Sequence, residues 1–146
     1  MSPIPITLDL QMFLRLLVAV VLGALVGYER ERAGKPAGVR THGMVSLGAA
    51  LFTVVSLHGF GETSDPARVA AQIVTGIGFL GAGAILHQRG YVEGLTTAAS
   101  LWVTAAIGLA VGVGMLFMSV ATAILVFLLL RFGPRPRPKA VDEEAE

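Results

Sequence analysis

From residue 94 to residue 130 the chain carries no charged side chain. A bilayer core accommodates about 20 helical residues, so this stretch is too long for one span and must break. Gly112, Val113 and Gly114 lie near its middle, where glycine suits a tight turn, and the stretch divides into spans at residues 95–111 and 115–130. Three further charge-poor segments, residues 10–28, 43–61 and 69–86, bring the number to five. With 54% hydrophobic and 14% charged residues, there is too little charge to cover a water-soluble surface. Eighteen glycines against 7% aromatic residues suit helices that approach closely in lipid. The fold class expected is an all-α integral membrane protein, a glycine-rich, close-packed bundle of five transmembrane helices.

The basic residues orient it. Arg30, Arg32, Lys35 and Arg40 lie between spans one and two, Arg89 between three and four, and Arg131, Arg135, Arg137 and Lys139 after span five. Lys and Arg collect in cytoplasmic loops, which predicts the N-terminus outside and the C-terminus inside. Asp9 precedes the first apolar segment where a signal peptide has its basic region, so that segment is expected to be retained. Residues 1–132 form the transmembrane domain. Residues 133–146, which alternate proline with Arg135, Arg137 and Lys139 and end in acids, are expected to be a disordered cytoplasmic tail.

Polar residues inside apolar spans mark candidate sites. Asp65 before Pro66 is a helix-start signal, and from there Arg68, Gln72, Gly76, Phe79 and Gly83 recur at steps of three or four. They share one stripe, expected to point inward. In span one, Arg15, Ala19, Leu22, Val26 and Glu29 form a similar stripe, which would bring Arg15 towards Arg68 with Asp65 as the preferred acidic partner. At the cytoplasmic rim Glu29, Arg30, Arg40, Thr41 and His42 flank the first inner loop, and Thr96 and Thr97 open span four on the same side. These could form one polar cluster, although each threonine is also an ordinary helix cap.

Gly76-Ile-Gly-Phe-Leu-Gly81 has the letters of the dinucleotide-binding motif, but that motif needs a strand before it, a helix opening after it and a distal acid. In mid-span the glycines are expected to serve packing instead, Gly76 and Gly83 on one side and Gly78 and Gly81 on the other, with span three central. Gly23 with Gly27 and Gly108 with Gly112 are G-x-x-x-G pairs for close helix contact. Span five, ending Val-Phe-Leu-Leu-Leu, reads as peripheral.

Several segments carry a resemblance: residues 27–32 (GYERER), 35–42 (KPAGVRTH), 65–68 (DPAR) through Gln72, 76–83 (GIGFLGAG) and 94–102 (GLTTAASLW). In this order the chain resembles the MgtC/SapB family, in a short form with the transmembrane domain only. The resemblance implies a bacterial inner-membrane protein associated with magnesium limitation and, in pathogens, with survival inside host cells. It also implies a regulator of other membrane proteins, including an ion-transporting ATPase, and points to Glu29, Arg40, Thr41, Asp65, Arg68, Gln72, Thr96 and Thr97. The partners expected are the bilayer, another membrane protein and a second copy as a homodimer, with no nucleic acid.

Three functions can be weighed on the residues. An enzyme has least support: there is no cysteine nucleophile, no H-E-x-x-H, no G-x-S-x-G and no acidic pair within the spans, and His42, His58 and His87 read as interfacial polar residues beside loops. A magnesium transporter or channel needs carboxylates, yet no acid lies in mid-span, so direct magnesium binding has no intramembrane carboxylate behind it and no cofactor is expected. A non-enzymatic regulator agrees best with the residues.

Overall fold

A computed structural model of the chain describes residues 6–60, 65, 67–88 and 91–134; residues 135–146, most of the tail segment, lie outside the described residues. Five helices run in order: α1 (Ile6–Arg32), α2 (Val39–His58), α3 (Ala67–Gly83), α4 (Leu95–Val113) and α5 (Leu116–Phe132). Between α3 and α4 two short strands, β1 (Leu86–Gln88) and β2 (Tyr91–Glu93), pair antiparallel with Leu86 opposite Glu93, a hairpin not expected from the apolar pattern. Helices α1, α2 and α4 are long and apolar enough to cross a membrane; α3 and α5, of 17 residues each, are shorter.

Helix α1 begins with Asp9 in its first turn and ends with Arg30 and Arg32 in its last, each charge opposing the helix dipole. Its 27 residues extend for about 40 Å, so its last turns reach past a core of about 30 Å. Helix α2 starts at Val39, because Glu31 Oε2 accepts the Val39 N–H at 3.0 Å and the Gly38 carbonyl accepts the His42 N–H at 3.1 Å. Arg40, Thr41 and His42 are therefore in the first turn of α2, flanking the α1–α2 loop. The α4–α5 turn closes at Gly114 (φ +101°), whose N–H bonds back to the Ala110 and Val111 carbonyls, and Gly112 remains within α4.

The centre is a three-helix core. Helices α1, α2 and α4 pack on one another, α5 lies against α1 and α4, and α3 leans mainly on α4. Ala19, Leu22 and Val26 of α1, Ala50 of α2, and Ile107 and Val111 of α4 form the main apolar cluster. Helix α5 buries only Ser119 and Ala123, consistent with a peripheral position. Helix α3 does not hold the central place that its glycines suggested: its buried residues are Ile77 and Gly81. Arg68, Gln72, Gly76, Phe79 and Gly83 are all exposed, so the stripe points outward. The physical reason is that Ile77 and Gly81 fit α4, Gly81 against Ala98, without dehydrating a guanidinium.

Candidate functional site

The end of the bundle bearing the α1–α2 loop and Arg131 is here called the basic end. There the three core helices bring buried polar side chains together. Gly23 and Gly27 make this possible. A Cβ on Gly23 would come within 2.5 Å of the His42 carbonyl and 2.7 Å of Ser46 Cβ, and one on Gly27 would come within 2.6 Å of the Gly38 carbonyl. Gly108 of α4 lies against the Ser46 backbone from the other side. Two glycine approaches thus wedge α2 between α1 and α4.

Within the wedge, Arg30 Nη2 donates to Thr97 Oγ1 at 2.7 Å, which ties α1 to α4. His42, fully buried, lies 3.1 Å through Nε2 from Ser100 Oγ and 3.0 Å through Nδ1 from the Gly38 carbonyl. A carbonyl can only accept, so the ring proton is on Nδ1 and Nε2 of the singly protonated ring is an acceptor. Ser100 also reaches the Thr97 carbonyl at 2.8 Å, so its one hydroxyl proton is shared between that oxygen and the imidazole. Thr104 continues the same face of α4, donating to the Ser100 carbonyl at 2.7 Å. Glu29, 5% exposed, has Oε1 at 4.0 Å from Arg131 Nη1 of α5. Among the described residues Glu29 Oε2, Arg30 Nε and Ser46 Oγ are buried without a hydrogen-bond partner, which raises the cost of keeping this cluster dry.

Of the residues singled out from sequence, Glu29 and Thr97 fall in this network, whereas Arg40 and Thr96 are exposed and Thr41 lines a groove between α2 and α3. Arg15 is elsewhere: its Nη1 donates to the Gly112 carbonyl at 3.0 Å and its guanidinium packs against Gly114, bracing the α4–α5 turn. The structure does not bring Arg15, Asp65 and Arg68 together. Asp65 Oδ1 accepts the Ala67 N–H at 2.9 Å as a helix cap, and Arg68 has no ion pair among the described residues. Gln72 and Gly76 line the groove. Gly112 meets Thr53, while among the described residues no atom lies near a virtual Cβ on Gly76, Gly78 or Gly83.

The rim reading reached Arg30 and His42 but not Ser46, Ser100 or Thr104. A signal for them existed: Thr97, Ser100 and Thr104 share one face of α4, and His42 and Ser46 one face of α2. Among the described residues no three His, Asp or Glu side chains gather as a metal site.

Three helices long and apolar enough to cross a membrane, packed on an apolar centre with a polar cluster at one end, define a helical membrane protein. Residues 16–136 match the MgtC family. The chain is 43% identical over 127 residues to the Escherichia coli K12 protein named "Putative magnesium transporter YhiD", covering 82% of this chain and 59% of that one. It is 46% identical over 121 residues to "Protein MgtC" of Salmonella typhimurium LT2, covering 81% and 52%. An uncharacterized protein of Haemophilus influenzae is 40% identical over 131 residues, covering 84% and 55%. The chain belongs to the MgtC family, and it spans just over half the length of these curated relatives. No solved structure matches it.

Proposed function

We propose that this chain is a non-enzymatic regulator of other membrane proteins, active under magnesium limitation in a bacterial inner membrane. In this reading all five helices span, with the N-terminus outside and the basic end in the cytoplasm. The placement of Arg30, Arg32, Lys35, Arg40 and Arg131 supports that orientation. At 17 residues, α3 and α5 lie at the short end of the range of about 17–25 for a spanning helix. Partners would be a second copy and another membrane protein such as an ion-transporting ATPase, met on the exposed face of α5.

The observation that carries this reading is the setting of Glu29. It is the one buried carboxylate among the described residues, and guanidiniums flank it, Arg30 next in the chain and Arg131 at 4.0 Å. Mg²⁺ takes oxygen ligands and is usually held by one or two carboxylates with several retained waters. Two neighbouring guanidiniums repel a divalent cation from such a site. The hydroxyls of Thr97, Ser100 and Thr104 are engaged in bonds within the protein. The name of YhiD favours a second reading, magnesium transport, in which Glu29 would be the ligand.

Purified full-length protein in liposomes with a trapped magnesium indicator separates the two, alongside empty vesicles and Glu29→Gln. Protein of intact helicity should give no uptake above empty vesicles. Uptake that Glu29→Gln abolishes would make this a transporter.

A further inference from the structure

Down the exposed stripe of α3, Arg68, Gln72 and Gly76 follow one another by turns, so a guanidinium, a carboxamide and a bare backbone succeed each other over about 12 Å. Arg68 is exposed and has no ion pair among the described residues; Asp65, three residues before it, accepts the Ala67 N–H through Oδ1. A charged side chain at the edge of an apolar span needs an acceptor.

Beside the stripe lies a groove of about 590 Å³ between α2 and α3, with Ala105 of α4 as its floor. Val45, Gly48 and Phe52 form one wall and Ile73 and Ile77 the other, with Gln72 and Gly76 along the rim. Along α3 it runs from Val69, one residue past Arg68, to Leu80, about 16 Å, and along α2 from Phe52 to Thr41 near the basic end. Its lining is almost wholly apolar, which suits a hydrocarbon chain. Charge, amide and hydrocarbon, in that order, complement the phosphate, ester carbonyls and acyl chain of a glycerophospholipid.

We propose that the α2–α3 groove holds one anionic glycerophospholipid, with its phosphate on Arg68, its ester carbonyls at the Gln72 amide and one acyl chain laid along Gly48 and Gly76. The inference rests on α3 crossing the bilayer, as in the five-span reading, and is independent of whether magnesium crosses.

The test is native mass spectrometry of the full-length chain released from detergent after incubation with phosphatidylglycerol or phosphatidylcholine of equal chain length. The variants are Arg68→Gln and Gly76→Leu. No described atom lies within 4 Å of a virtual Cβ on Gly76, a groove-lining residue, so a side chain there starts in open space. The proposal expects a one-to-one phosphatidylglycerol adduct favoured about five-fold over phosphatidylcholine, in line with one basic side chain at a lipid surface. Arg68→Gln should erase that preference, and Gly76→Leu should remove both adducts. Equal adducts for the two lipids, or adducts unchanged in both variants, would overturn it. So would Gly76→Leu converting a dimer to a monomer with lipid retention intact, because a second copy would then be the occupant. If Gly76→Leu fails to elute as a folded protein, the Arg68→Gln comparison decides alone.

Discussion

Gly108 and Gly76 are both mid-helix glycines in apolar helices, and their surroundings are opposite. Gly108 sits against the Ser46 backbone in the three-helix core, whereas Gly76 faces an open groove with nothing within reach of a virtual Cβ. In lipid, small residues let backbones approach, but spacing alone does not say which small residues do so. The core uses Gly23, Gly27, Gly108 and Gly112 to bring hydrogen-bonding groups together. Helix α3 leaves Gly76, Gly78 and Gly83 uncovered.

Substitution at these positions should separate the two regions. Gly108→Leu forces a side chain into backbone that cannot recede and should cost about 3 kcal/mol or more, read as loss of the folded fraction in detergent; a folded, equally stable variant would break the distinction. Thr97→Val keeps the shape but leaves the Arg30 guanidinium without its acceptor, and should cost about 1–3 kcal/mol, with Thr97→Ser recovering most of it. Arg15→Met removes the bond to the Gly112 carbonyl and should lower stability by about 1 kcal/mol. Gly76→Ala should stabilise by about 0.5–1 kcal/mol, because an exposed helical glycine gives up entropy without a packing return. A destabilised Gly76→Ala would mean that α3 is packed after all.

The stripe of Ala19, Leu22, Val26 and Glu29 was legible in the sequence and is buried as one face, because one side of α1 meets both partners. The Asp65 helix start was legible too, since a cap is local chemistry. The direction of the α3 stripe was not. Periodicity defines a face but not what it faces, and α3 is apolar enough on every side for its fit to α4 to decide. His42 reads from the sequence as an interfacial polar residue beside the first loop. It is buried because Glu31, eight residues before Val39, starts α2 early, a contact that only the folded loop reveals. The family resemblance pointed to Glu29 and Thr97, but not to their partners Arg131 and Arg30.

The basic end is a clamp between α1 and α4, closed by Arg30 on Thr97. A double-mutant cycle of Arg30→Met and Thr97→Val, followed by reversible unfolding in detergent, measures it directly. The clamp predicts a coupling of about 1 kcal/mol or more, above the roughly 0.6 average for hydrogen bonds between membrane helices because one partner is charged. Additive single effects, with coupling near zero, would contradict it.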